Sequence, residues 1–197
     1  MTEADDTGTP TDAPPTEHHE PPELRRAESL VLVNTGDGKG KSTAAFGTML
    51  RAVARGWPVA VVQFLKSGKW NTGEEKVGRD LGVEWYAIGE GFTWDSEDLT
   101  QDEAVARDAW QHAAGLLAAG SHRLVLLDEV TYPMNWGWID TDDVLAAIRD
   151  RSPKVNVVCT GRDAPQGLLD LADTATEMVV VKHAYRSGIR AMKGIDY

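Results

Sequence analysis

The chain has 197 residues, 42% of them hydrophobic and 26% charged, which is enough for one ordinary globular domain and rules out disorder throughout. Its net charge is −11, and residues 1–29 hold eight acids against two arginines, so no cluster of positive charge is present to grip a nucleic-acid backbone non-specifically. No apolar run approaches the ~18 residues of a membrane span, the N-terminus lacks the apolar stretch of a secretory signal, and one cysteine leaves no internal disulfide or cysteine-rich metal site.

The expectation from these totals is a soluble, cytoplasmic protein with neither nucleic acid nor membrane as partner. Residues 1–28 are rich in Pro, Thr, Asp and Glu and poor in large apolar side chains, with five of the nine prolines. Such a segment buries too little surface to offset its ordering entropy and reads as a disordered tail, with His18 and His19 solvated within it. Residues 29–197 then read as one α/β domain.

Short apolar, β-branched runs predict strands at Leu30–Asn34, Val59–Phe64, Val83–Ile88, Leu124–Asp128, Val155–Thr160 and Met178–Val181. Near-continuous apolarity of this kind belongs to strands covered on both faces, as in a parallel sheet. Between them, Ser42–Arg55 and Asp102–Ala119 have helical length and end at Gly56 and Gly120, which suit C-terminal caps. Thr100 with Glu103 has the spacing of a capping box, and Thr141 ahead of Asp142 and Asp143 predicts the cap of a helix over Val144–Arg149. Cys159, inside the fifth apolar run, reads as a buried packing residue, and Trp110 as core.

The first strand runs into Thr35-Gly36-Asp37-Gly38-Lys39-Gly40-Lys41-Ser42-Thr43 and then a helix. Glycines allow successive N–H groups to converge on phosphate oxygens beside the positive end of a helix. Lys41 adds a point charge, and Ser42 or Thr43 offers a hydroxyl to a magnesium ion. Counting Gly-x-x-x-x-Gly-Lys-Ser back from Lys41 places Thr35 where the first glycine is usual; the glycine comes one residue later, and Lys39 is a second cation. Leu124–Asp128 ends in Asp128-Glu129, two carboxylates at the strand edge where open α/β sheets bind ligands, so either can reach the metal shell of a nucleotide on that loop.

Two chemistries fit these residues. A hydrolase would use Glu129 to activate water; a transferase would direct another nucleophile at the nucleotide, yet no protein nucleophile stands out. Seven tryptophans are an unusual number, and several fall in loops at the strand ends: Gly91-Phe92-Thr93-Trp94 and Asn135-Trp136-Gly137-Trp138. They either cover the domain's own core or line a pocket for a large flat second substrate.

The run Thr35–Gly47 resembles the phosphate loop of the ATP:corrinoid adenosyltransferases of cobalamin biosynthesis. So do Val61-Val62-Gln63-Phe64-Leu65-Lys66, Gly91-Phe92-Thr93-Trp94, Leu127-Asp128-Glu129-Val130-Thr131-Tyr132 and Thr160-Gly161-Arg162. Near the end, Leu171-Ala172-Asp173, Thr176-Glu177-Met178, Lys182-His183-Ala184 and Gly194-Ile195-Asp196-Tyr197 are similar as well, in the same order.

The resemblance implies a RecA-like P-loop fold, a mostly parallel sheet of about six strands with helices on both faces. It implies transfer of the 5′-deoxyadenosyl group of ATP to the Co(I) of a corrinoid with release of triphosphate, in place of a P-loop ATPase or kinase acting at phosphorus or a carrier without turnover. Magnesium, a homodimer, and a flavoprotein or other electron donor for Co(II) are implied too. It assigns Gly36, Asp37, Gly38, Lys39, Gly40, Lys41, Ser42, Thr43 and Arg162 to the nucleotide, with Ser42, Glu129 and Asp128 as metal ligands. Lys41 acts in catalysis together with Phe92 and Trp94, which match residues that press on the lower corrin face and displace the axial ligand. His183, Arg186 and Arg190 form a mildly basic stretch left outside the site.

Overall fold

The computed structural model describes residues 23–65, 73–87 and 99–196. The tail over residues 1–22, with His18 and His19, and the Phe92 and Trp94 pair lie outside the described residues.

The chain builds β1 (Val31–Thr35), α1 (Lys41–Ala54), β2 (Val59–Gln63), α2 (Gly73–Asp80), β3 (Glu84–Ala87), α3 (Leu99–Ala119), β4 (Leu124–Asp128), α4 (Thr131–Asn135), α5 (Thr141–Arg149), β5 (Asn156–Thr160), α6 (Gln166–Leu171) and β6 (Thr174–Glu177), then a 3-10 turn at Ala184–Ser187. The six strands form one sheet in the order β3-β2-β4-β5-β1-β6, and every pairing is parallel. Strand β5 therefore lies between β1, which feeds the glycine loop, and β4, which ends in the carboxylates.

Alternation along each strand divides the core in two. On one face Val61, Leu124, Leu126 and Val158 pack with Ala45, Phe46, Met49 and Ala52 of α1. On the other, Val33, Val62, Val125, Leu127 and Val157 pack with Ala109, Ala113 and Leu117 of α3 and with Val144 and Ile148 of α5. This period of two is why the strand sequences are apolar throughout: both faces are covered. Truncating one of these fully buried side chains to Ala costs about 2–5 kcal/mol.

Five of the six expected strands stand within a residue or two of their expected bounds. The sixth does not: β6 is Thr174–Glu177, and the expected Met178–Val181 follows it. Apolar β-branched residues suggested a strand there, yet Val179 and Val181 are exposed. The strand is instead formed by Thr174-Ala175-Thr176-Glu177, which pairs only with β1 at the sheet edge and has no buried residue.

Two helix starts also differ. The backbone is already helical at Leu99, so Thr100 lies inside α3 and not at its cap. Asp140 caps α5: its carboxylate accepts the Asp143 N–H at 3.1 Å, one residue ahead of the expected Thr141. An aspartate at this position also sets its charge against the positive helix end. The glycines after α1 and α3 behave as expected, Gly56 and Gly120 each adopting a left-handed backbone. Cys159 is fully buried, and burial pushes its thiol up to about 12. Trp110 packs against the core from α3.

Candidate functional site

Because the sheet is parallel, the ends of β2, β4, β5 and β1 lie along one edge. Register sets Gln63 beside Asp128 and Asn34 beside Thr160, a row of polar side chains terminating apolar strands. Gln63, Asp128 and Thr160 are all buried, so each needs a partner. The Trp85 indole can only donate, and its Nε1–H goes to Gln63 Oε1 at 2.9 Å. That fixes the Gln63 amide, whose Nε2 donates to Asp128 Oδ2 at 3.0 Å. Thr160 donates to Asp128 Oδ1 at 2.7 Å and accepts the Glu129 N–H at 2.9 Å. Ser42 gives Asp128 a further hydroxyl hydrogen bond. Burial raises the Asp128 pKa, and these three donors oppose it.

Glu129 leaves β4 with φ of 62°, a left-handed backbone uncommon outside glycine. Its carboxyl is pushed up to about 8, first by burial and then by the charge of Asp128, while Lys41 and Arg162 act in the opposite direction. Lys41 is lowered, chiefly by burial and next by the positive charge of Arg162. Two carboxyls and two cations thus converge on the start of α1.

The glycine loop is shaped by the segment after β6. The ladder between β1 and β6 continues past the strands: Met178 N–H donates to Thr35 O at 2.8 Å, and Gly38 N–H donates to Met178 O at 2.6 Å. A Cβ on Gly36 or Gly38 would stand 2.6 Å from that same oxygen, so no side chain fits at either position, and Gly36 also has φ of 91°. One of the loop's N–H groups, that of Gly38, is therefore turned to Met178.

Gly40, left-handed with φ of 111°, precedes α1 and offers no side chain to the helix's first N–H groups. No acid sits in that first turn, which holds Lys41, Ser42 and Thr43. This end has the polarity that attracts an anion. Lys41 Nζ donates to Gly38 O at 2.7 Å, and its backbone carbonyl accepts from Asn34 Nδ2 at 3.2 Å. Arg162, after β5, pairs with Asp37 at 3.4 Å, which brings both to the loop. Lys39 pairs with Asp196.

Hence the loop residues 36–43, Asp128, Glu129 and Arg162 come together at this edge. The residues that hold them had no role assigned from the sequence: Gln63, Thr160 and Asp196 fall within stretches of family resemblance, and Trp85 lies outside them. A polar side chain closing an otherwise apolar strand, as Gln63 and Thr160 do, is the signal that marks two of them.

Beyond the same end of β4, Tyr132, Trp136 and Trp138 form an aromatic series with ring centroids 5.7 and 4.6 Å apart. Trp138 packs on the core while Trp136 is exposed. The adjoining cavity of about 710 Å³ mixes Trp110, Met134 and Trp138 with Arg107, Asp140 and Asp143, so it is not a plain apolar slot.

Among the described residues no group of three or more His, Cys, Asp or Glu is placed to hold a metal by itself. The oxygen donors of Ser42 and Glu129 beside the glycine loop are of the kind magnesium takes, an ion usually held by one or two protein oxygens together with substrate phosphates and water.

Comparison with known proteins follows the same lines. The family model described as ATP:corrinoid adenosyltransferase BtuR/CobO/CobP matches residues 27–197. The chain is 45% identical over 168 residues to a corrinoid adenosyltransferase of Escherichia coli K12, covering 85% of each chain. It is 45% identical over 177 residues to one of Pseudomonas aeruginosa, covering 89% of this chain and 87% of that one. Corrinoid adenosyltransferase CobA of Salmonella typhimurium is 41% identical over 175 residues, covering 89% of each. Among solved structures, flagellar accessory protein FlaH of Methanocaldococcus jannaschii aligns with a TM-score of 0.53 at 11% identity, over 77% of this chain and 71% of that one. That likeness is one of fold, an α/β sheet of RecA-like type.

Proposed function

The chain belongs to the ATP:corrinoid adenosyltransferase family, and from that premise we propose how its residues carry out the ATP-dependent adenosylation of a corrinoid. The reaction joins the corrinoid cobalt to C5′ of ATP. The cobalt supplies the electron pair of the new bond, the C5′–O bond breaks, and its electrons leave on triphosphate. The protein's work is to hold cobalt, C5′ and the leaving oxygen in line and to stabilise charge growing on the triphosphate.

In this reading the start of α1, the Lys41 ammonium and the N–H groups of the loop other than that of Gly38 hold the triphosphate. Thr43 and Arg162 add contacts to its oxygens. Ser42 and Glu129 would hold magnesium, with Asp128 behind them as the acceptor that orients Ser42; the ion would supply positive charge opposite the phosphates. Lys41 sits where burial strengthens its electrostatic effect on the leaving group. No protein nucleophile is required: the one thiol, Cys159, is fully buried and pushed up to about 12.

The observation carrying this reading is the convergence of Lys41, Ser42, Asp128 and Glu129 at one sheet edge. We further propose a cytoplasmic homodimer served by a flavoprotein or another electron donor. Exposed Val179, Val181, Tyr185, Ile189 and Met192 support the dimer as apolar surface in want of cover. Among the described residues no helix is long and apolar enough to cross a membrane.

Product analysis with ATP labelled in the adenosine and at the γ-phosphorus tests the reaction. Label from adenosine in the corrinoid and intact labelled triphosphate are expected. ADP and phosphate, with no cobalt–carbon bond, would replace this account with an ATPase or kinase.

A further inference from the structure

The segment after β6 touches the phosphate loop twice, about twenty residues apart in sequence: through Met178 at its start and through Asp196 near its end. The first tie is backbone and continues the sheet. The second is an ion pair between Lys39 and Asp196 Oδ1. The other carboxylate oxygen, Oδ2, accepts the Met192 N–H at 2.8 Å, and the Asp196 N–H returns to Met192 O at 2.8 Å. A closed turn therefore holds the carboxylate in place. Its neighbour Ile195 borders an apolar groove formed by Phe46, Met49, Leu50 and Val77, which anchors the turn beside α1.

Lys39 is the loop's second cation, and an ammonium already paired with a carboxylate gives up part of that pairing when a phosphate oxygen approaches. A carboxylate on the same chain is present at high effective concentration whenever triphosphate is absent or departing. We propose that Asp196 is a positioning residue that competes with bound triphosphate for Lys39 and so weakens retention of the product. This rests on the reading of residues 36–43 as the triphosphate cradle. A carboxylate there costs some substrate affinity and hastens release of the most highly charged species in the reaction.

Calorimetric binding of inorganic tripolyphosphate to the full chain tests the proposal without reference to turnover. Asp196→Asn is expected to bind tripolyphosphate about two- to fivefold tighter than wild type, the scale of one exposed ion pair. In a Lys39→Ala background the same substitution is expected to change nothing. Unchanged or weaker binding by Asp196→Asn overturns the proposal, as does an equal gain in the Lys39→Ala background. Lys41→Ala separates this outcome from failure of the cradle reading. If it abolishes tripolyphosphate binding, the cradle stands and the Asp196 result is decisive by itself; wild-type affinity in Lys41→Ala overturns the cradle and the proposal together.

Discussion

The Thr160 hydroxyl accepts the N–H of Glu129 at 2.9 Å while donating its own hydrogen to Asp128, so one buried side chain on β5 fixes the Asp128 carboxylate and the Glu129 backbone at the end of β4. The arrangement depends on strand order. With β5 between β1 and β4, Thr160 is level with Asn34 on one side and adjoins Asp128 on the other. Replacing it by Val keeps the shape but leaves the Glu129 N–H without its acceptor and Asp128 short of one donor. Thr160→Val is expected to cost about 2 kcal/mol, a Tm loss of about 4–8 °C. It should also lower kcat/KM for ATP at least about tenfold, while Thr160→Ser, which keeps the hydroxyl, recovers most of both. Thermal melts and initial rates on the three proteins check this; a wild-type rate in Thr160→Val would remove Thr160 from the positioning of the site.

Gly38 and Gly47 make opposite predictions for the same substitution. A methyl on Gly38 would lie 2.6 Å from the Met178 carbonyl oxygen and 2.7 Å from its carbon, both backbone atoms of the ladder that shapes the loop. Gly47, in the middle of α1, has nothing within 4 Å of the position a Cβ would take. Gly47→Ala is therefore expected to stabilise by about 0.5–1 kcal/mol through helix propensity, with activity retained. Gly38→Ala should displace Met178 and weaken ATP binding at least about tenfold. Denaturation curves and ATP binding by calorimetry check the pair.

What could be read from the sequence was whatever is encoded within a few neighbouring residues. The strand, loop and helix around Lys41 are local, and so is the run of apolar residues ending in Asp128 and Glu129. The edge strand was misplaced because Thr174-Ala175-Thr176-Glu177 carries no burial pattern: at the sheet edge its side chains face water, and pairing with β1 alone selects it. The short helices α4 and α6 lack the repeated apolar spacing that a longer helix displays. The contacts between Trp85 and Gln63, Thr160 and Asp128, and Lys39 and Asp196 join residues 22, 32 and 157 positions apart, and no local pattern specifies them.

Phe92 and Trp94 are proposed to press on the lower face of the corrin and displace its axial ligand. A donor along that axis raises the energy of the cobalt orbital that must accept an electron, so its removal eases reduction of Co(II). Once Co(I) has formed, this assistance no longer matters. Phe92→Ala and Trp94→Ala are expected to reduce the reductase-coupled rate at least about tenfold more than the rate with chemically pre-reduced corrinoid. Equal losses in the two assays would assign both aromatics to corrinoid binding alone.

Glu129 gives the free enzyme a pH dependence of defined sign. Its carboxyl is pushed up to about 8 in the folded chain, against the ordinary glutamate value of 4.5, because burial and the Asp128 charge disfavour ionisation. Between these values the folded state retains a proton that the unfolded state has lost, so unfolding releases a proton and stability falls as pH rises across the window. Glu129 thus contributes most below about pH 4.5, and the contribution is lost progressively until about pH 8, beyond which no further loss occurs. Glu129→Gln removes the titration while keeping a neutral side chain of similar shape. The Tm of wild type relative to Glu129→Gln is therefore expected to decline from pH 5 to pH 8 and then level off, in protein free of nucleotide and metal. On the proposal that Glu129 holds magnesium as an ionised carboxylate, binding of magnesium and ATP should release protons below pH 8 and do so less in Glu129→Gln. Calorimetry in two buffers of different ionisation enthalpy measures that release. A flat Tm difference over this range, together with no proton release on binding, would mean that Glu129 is already ionised in the folded free enzyme.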